Sequence, residues 1–173
     1  MKKQQFKIDA TQSIIDWEGR KITGSHNGTI SIKQGALTVN DGQITGGTFI
    51  IDTTTIKVLD VTDPATNAQF AGHLASDDFF SIEQYPEATF EITAVNNNRI
   101  EGHLTIKGIT HAVSFEANVG VAGDVLTASG HLVIDRTKYG IKFRSGNFFN
   151  NLGDTLIYND FDLHINLTAR AAA

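Results

Sequence analysis

The chain has 173 residues, with 14 Lys and Arg against 19 Asp and Glu, a formal net charge of −5 and no cysteine. That length carries one domain with a real core, the missing cysteine excludes disulfides and thiol chemistry, and the acidic balance without a Lys/Arg run argues against a nucleic-acid partner. No stretch approaches the ~20 apolar residues of a membrane-spanning helix. Residues 1–7 are basic with no apolar segment behind them, so the chain as written reads as cytoplasmic, and as periplasmic if a leader has been removed. Phe6 and Ile8 mark a first short strand, and residues 13–20 a second with Trp17 in its middle. Residues 24–28 are turn-rich, then 29–33 and 37–40 alternate as strands. Asp41-Gly42 is a two-residue hairpin signal. It would set Val39 opposite Ile44 and Leu37 opposite Gly46, with a bulge at Gly46-Gly47 and strand again over 49–52.

Asp63-Pro64 starts a helix that runs to about Ala75, because Asp caps well and Pro suits the first helical position. Phe70 and Leu74 share one of its faces. Ser76 would cap a second short turn, with Asp77 and Asp78 in its positive first turn, Phe79, Phe80 and Ile82 on its greasy side, and Pro86 as its stop. This helical insertion over 64–83 interrupts an otherwise β pattern. It reads as a plug or lid, or as a connector whose phenylalanines fill the core.

Residues 88–135 form a four-strand meander. Phe90, Ile92 and Ala94 share a face, then a three-residue loop at 96–98 leads to Ile100, Gly102, Leu104 and Ile106. A turn near Gly108-Ile109 leads to Val113, Phe115, Ala117 and Val119, and a hairpin near Val121-Ala122 to Leu126, Ala128, Gly130, Leu132 and Ile134. These loop lengths keep every apolar set on one face, which a one-residue slip would destroy. Residues 139–149 are irregular and aromatic, and 156–168 form a long last strand with Ile157, Phe161, Leu163, Ile165 and Leu167 in phase. The pattern is all-β, one domain over 1–170 with a frayed tail at 171–173. Long meandering strands make a sandwich or an up-and-down barrel, and a barrel also removes exposed edges.

Ala94, Gly102, Ala117, Ala128 and Gly130 are small residues in the inward phase. They leave room for a ligand in a hollow barrel, or for aromatic rings that reach across and fill it. The outward phase is polar, so a bound ligand would be apolar. No nucleotide loop, nucleophile elbow or zinc spacing occurs. His103 and His131 fall in the outward phase, and His26, His73, His111 and His164 are scattered, which fits exposed or locally bonded histidines better than a metal site. Asp135-Arg136 is an ion pair or anion site at a mouth, or the lock of a turn. With Tyr139 and Asn159, Arg136 is among the few polar groups that an enzyme could use.

Gly-His-Leu-Ala-Ser-Asp-Asp-Phe-Phe at 72–80, Tyr-Pro-Glu-Ala-Thr-Phe at 85–90, Gly-His-Leu-Thr-Ile-Lys-Gly-Ile-Thr at 102–110 and Ile-Asp-Arg-Thr-Lys-Tyr-Gly-Ile at 134–141 occur in this order. Together with Trp17-Glu18-Gly19-Arg20-Lys21, Gly24 and His26, they resemble the YceI-like family over nearly the whole chain. One departure is Gln69-Phe70-Ala71-Gly72-His73-Leu74, where many members carry Leu-Asp-Gly-His-Leu. The resemblance implies an elongated, lipocalin-like antiparallel barrel of about eight strands. It implies a tunnel for a polyisoprenoid, an isoprenoid quinone or a similar long lipid, without catalysis, metal or other cofactor. The tunnel would be lined by Trp17, Phe49, Phe79, Phe80, Phe90, Ile92, Leu104, Phe115, Ala117, Ala128, Leu132, Tyr139, Phe143 and Phe161. A lipid is the expected partner, and a second copy of the chain is a further candidate. An enzyme acting on an apolar substrate in the same cavity and a solid β module are the alternatives.

Overall fold

Alternating apolar and polar residues build one antiparallel sheet that closes on itself. A computed structural model describes residues 3–21, 24–142 and 157–172. Its strands are β1 (Lys3–Ile8), β2 (Ile14–Lys21), β3 (Gly24–Asn40), β4 (Gln43–Val58), β5 (Glu87–Asn96), β6 (Arg99–Ile106), β7 (Ile109–Ala122), β8 (Val125–Asp135) and β9 (Ile157–Ala171). The order is β1-β3-β2-β9-β8-β7-β6-β5-β4, closed by a β3–β4 pairing. β2 takes the first part of β3 (Ile15 opposite Ile30, Lys21 opposite Gly24) and β1 takes the last part (Lys3 opposite Asn40, Lys7 opposite Ala36). Both also pair with β9, so β1 and β2 share one stave, joined through a 3₁₀ turn at Ala10–Gln12. The result is an all-β, closed barrel of eight staves with, among the described residues, one α-helix, α1 (Pro64–Ala75).

The two ends differ. One carries the turns at Asp41-Gly42, Asn97-Asn98 and Gly123-Asp124. There Phe6, Leu126 and Ala169 are 0% exposed, and Leu37 and Val39 1%, so that end is packed solid. The other carries α1, the Lys107-Gly108 turn and a 3₁₀ turn at Arg136–Tyr139.

The Asp41-Gly42 hairpin forms as expected, with both residues at positive φ (53° and 80°) and Val39 opposite Ile44. Several local expectations are corrected. Residues 24–28 are strand, paired with β2. Leu37 faces Gly47, not Gly46, because the register shifts between Thr38 and Val39 and leaves Thr45 as the extra residue. A second shift between Ile92 and Ala94 makes Thr93 the extra residue, so Ala94 turns out to solvent and Val95 packs against the core. The 96–98 loop is a two-residue turn, with Asn96 opposite Arg99. The later turns are Lys107-Gly108 and Gly123-Asp124, each next to the position read from sequence. Val119 is exposed because β7 outruns β6, whose pairing stops at Glu116. Ser76 ends a helix instead of starting one: it is the C-cap of α1, and its hydroxyl donates to the His73 carbonyl at 2.6 Å. Of the tail expected at 171–173, Ala171 lies opposite Phe6 and the Ala172 N–H donates to Gln5 O at 2.8 Å, while residue 173 lies outside the described residues.

Candidate functional site

Strand alternation points one side chain in two at the barrel axis, and near the helix end these side chains do not meet. They enclose a cavity of about 460 Å³. Leu37, Ile44, Ile100, Ala117 and Ala128 lie toward its floor, above the solid end. Ile32, Phe49, Ile92, Leu104, Phe115 and Leu132 form its waist. Trp17, Phe90, Phe161, Phe79 and Phe80 lie toward the mouth. The small inward residues divide between the two expected uses. Ala117, Ala128 and Gly130 border the void. Gly102, by contrast, is covered by Phe90: a Cβ there would stand 2.5 Å from the ring and 2.4 Å from Glu91 O. Gly28 is covered in the same way by Trp17, at 2.6 Å.

Twelve of the fourteen positions nominated from sequence thus sit on one wall: Trp17, Phe49, Phe79, Phe80, Phe90, Ile92, Leu104, Phe115, Ala117, Ala128, Leu132 and Phe161. Tyr139 does not. It is 1% exposed and packs edge-on to His111 at 5.1 Å, behind the wall. Burial pushes its hydroxyl pKa up, and that hydroxyl has no partner among the described residues. Phe143 lies outside the described residues. Ile15, Ile30, Ile32, Ile51, Ile56, Ile165 and Leu167 also line the cavity and were missed as site residues, although their strand phase was visible.

The mouth is covered by α1 and the turns behind it. Asp63 caps α1, its carboxylate accepting from Thr66 N at 2.9 Å. Asn67 Nδ2 ties the helix to Val58 O at 2.8 Å and Val61 O at 3.0 Å. Leu74 is buried, and Phe70 packs edge-on to His26 at 4.5 Å. Successive turns then place Phe79 at 8% exposure against the His73 ring (5.0 Å) and Phe80 edge-on to Phe161 (6.5 Å). Thr53 fastens this segment to β4 through Pro86 O (3.0 Å) and Tyr85 O (2.8 Å).

Among the described residues, polar groups reach the wall only at Thr53, Ser129 and the mouth, where Arg20, Lys21, His26, His73, Arg136 and Asp160 gather. His26 pairs with Asp60 at 2.8 Å and His73 with Asp78 at 3.1 Å. Burial raises the Asp60 carboxyl pKa, but the Asn27 N–H and His26 outweigh it, so the net shift is downward. Arg20 grips Asp162 with two nitrogens at 2.7 and 3.1 Å and reaches Glu18 at 2.8 Å. Asp135 locks a turn, accepting from Thr137 N (3.0 Å) and Oγ1 (2.6 Å). Arg136 is 4% exposed and donates to Ile141 O at 2.8 Å and Ile157 O at 3.0 Å. Asn159 is not on the wall. On the outer face His131 and His164 are cross-strand partners with stacked rings, 4.4 Å apart. No group of three or more His, Asp or Glu able to hold a metal occurs among the described residues, and none of their helices is long and apolar enough to cross a membrane.

An apolar lumen with a narrow polar rim is the geometry that comparison with known proteins bears on. The YceI-like domain family matches residues 6–169. The chain belongs to the YceI-like family. A UPF0312 protein of Staphylococcus epidermidis is 34% identical over 150 residues, 80% of this chain and 83% of that protein. One from Staphylococcus aureus is 30% identical over 149 residues, 80% and 82% of the two chains. The fold of this YceI-like chain is shared with the crystal structure of Burkholderia cenocepacia BcnA, at TM-score 0.71 and 20% identity over 93% and 98% of the two chains. It is shared equally with a polyisoprenoid binding domain from Saccharophagus degradans implicated in plant cell wall breakdown. That likeness has TM-score 0.71 at 14% identity, over 96% of this chain and 98% of that one.

Proposed function

We propose that this barrel binds, and stores or carries, one long apolar lipid of the polyisoprenoid or isoprenoid-quinone type, without altering it. The observation that carries this reading is the cavity itself. Its volume of about 460 Å³ lies within the range of small-molecule sites, roughly 300–1,000 Å³. Among the described residues its walls are aliphatic and aromatic from floor to mouth, interrupted by Thr53 and Ser129. Each buried CH₂ contributes about 0.8 kcal/mol, so one five-carbon prenyl unit contributes roughly 3–4 kcal/mol. Such a wall therefore holds a chain by length and not by headgroup chemistry. The polyisoprenoid binding named for the Saccharophagus neighbour agrees with this reading.

The test is mass spectrometry of an organic extract of the purified protein, together with displacement of a neutral solvatochromic dye by added polyprenols and alkanols. A stoichiometric long-chain lipid, or displacement that strengthens with chain length, is expected. A protein that takes up neither dye nor any long-chain compound has no usable lumen, and one that turns a bound lipid over is an enzyme. Either result overturns the proposal.

A further inference from the structure

At the bottom of the lumen, two residues along a strand separate void from solid core. On β8, Ala128 borders the cavity and Leu126, the next inward residue, is fully buried. On β9, Leu167 borders it and Ala169 is fully buried. The register sets both changes at one level, because Ala128 is the cross-strand partner of Leu167, and Leu126 of Ala169. Phe6 of β1, also fully buried, lies opposite Leu37 and joins the same plug. A side chain beside a gap wide enough for water keeps some accessible surface. The described residues therefore leave no passage past Phe6, Leu126 and Ala169, and the lumen is blind at the end away from α1. Its depth follows from strand geometry. Along β9 the lining runs from Ile157 at the mouth to Leu167 at the floor. Those steps, at about 3.3 Å per residue and tilted by roughly 40° to the barrel axis, span about 25 Å. An extended hydrocarbon advances about 1.25 Å per carbon, from a bond of about 1.5 Å and a near-tetrahedral angle. The lumen thus takes about twenty carbons in line, or about five prenyl units.

We propose that this blind floor is a chain-length gauge, with Ala128 and Leu167 as the residues that set its depth. The barrel takes in about twenty carbons of one apolar chain, and a longer chain leaves its remainder outside the mouth. This rests on the apolar-ligand reading above and adds a length to it. When the chain comes from a bilayer, a CH₂ that enters the lumen exchanges one apolar surrounding for another. A CH₂ left outside the mouth passes from bilayer to water, which weakens binding about fourfold for each such group.

The experiment presents the delipidated full chain with phosphatidylcholine vesicles that carry an equimolar series of straight-chain alcohols, from tetradecanol to octacosanol. Protein and vesicles are separated, and the alcohols in each are measured by mass spectrometry. The protein-to-vesicle ratio should stay level up to about twenty carbons and then fall by about tenfold or more over the next few. Ala128→Leu fills the floor and should move the break to shorter chains by about three carbons. Leu167→Ala takes bulk out of the same layer and should move it to longer ones. A ratio that runs without a break to octacosanol, or a break that stays in place in both variants, overturns the gauge and leaves the apolar-ligand reading standing. Uptake of no alcohol at all overturns both.

Discussion

Gly102 and Gly130 are one strand apart, on β6 and β8 with β7 between them, and an aromatic ring stands over each. At Gly102 an added Cβ would strike the Glu91 carbonyl at 2.4 Å as well as Phe90, and a backbone oxygen cannot step aside. At Gly130 the nearest obstacle is the edge of Phe115 at 2.9 Å, and Glu116 O is at 3.4 Å. That ring borders the void and has somewhere to go. Gly102→Ala should therefore cost about 1–3 kcal/mol of overpacking, and Gly130→Ala clearly less, in urea denaturation of ligand-free protein. Equal costs would mean that the lumen near Phe115 is not open. Ala128→Phe tests the same point from the floor. Its ring should enter free space, leave the ligand-free unfolding midpoint close to that of the parent, and abolish dye uptake. A large loss of stability would mean a filled core. Residue size in the inward phase was legible in the sequence. Which small residue faced a ligand and which faced a ring was not, because that depends on diagonal neighbours across strands, which alternation along one strand does not encode.

The helix α1 shows what a local signal can carry. Asp63-Pro64 sets its start and the pattern its end at Ala75, and both hold in the structure. The Thr66 hydroxyl and N–H hold the Asp63 carboxyl below the usual carboxylate range. Asp63→Ala should cost about 1 kcal/mol in thermal or urea unfolding at neutral pH. The segment after it was misread because Ser favours a helix start, while here its hydroxyl is spent on the carbonyl of His73. The Phe79 and Phe80 rings still end where a plug would put them, held by Thr53 on β4 and not by a second helix. Phe79→Ala should cost about 3–5 kcal/mol, as for a large aromatic lost from a core. With Phe80→Ala added, dye should exchange faster through a wider mouth. If the double variant is as stable and as slow to exchange as the parent, these rings do not close the barrel.

At the scale of the whole molecule, the meander was legible and the closure was not. Residues 88–135 pair with sequence neighbours, so alternation and turn spacing set their order. The seam joins β1 and β2 to β9 over most of the chain length, and no local pattern encodes it. What fastens one side of that seam is a polar girdle on the outer face. Arg20 of β2 holds Asp162 of β9, and the Nε2 of His131 on β8 stands 3.9 Å from the same carboxylate. The Arg20 hydrogen bonds are the largest reason that the Asp162 pKa is lowered, opposed by partial burial and helped by the Arg20 charge. A carboxyl whose folded pKa lies below its unfolded value, about 3.9 for Asp, contributes stability that is fully present above that value. The contribution is lost as pH falls through the lower, folded pKa. The urea midpoint should therefore be insensitive to this group from about pH 5 upward and decline below about pH 4. Asp162→Asn should lower the neutral-pH midpoint and flatten part of the acid decline, the remainder coming from Asp9, Asp60 and Asp63, which are lowered too. Arg20→Met should bring the loss in at higher pH, because it removes the group that keeps Asp162 ionised. Midpoints of the parent and both variants that fall in parallel from pH 6 to pH 3 would show that the girdle does not hold the seam.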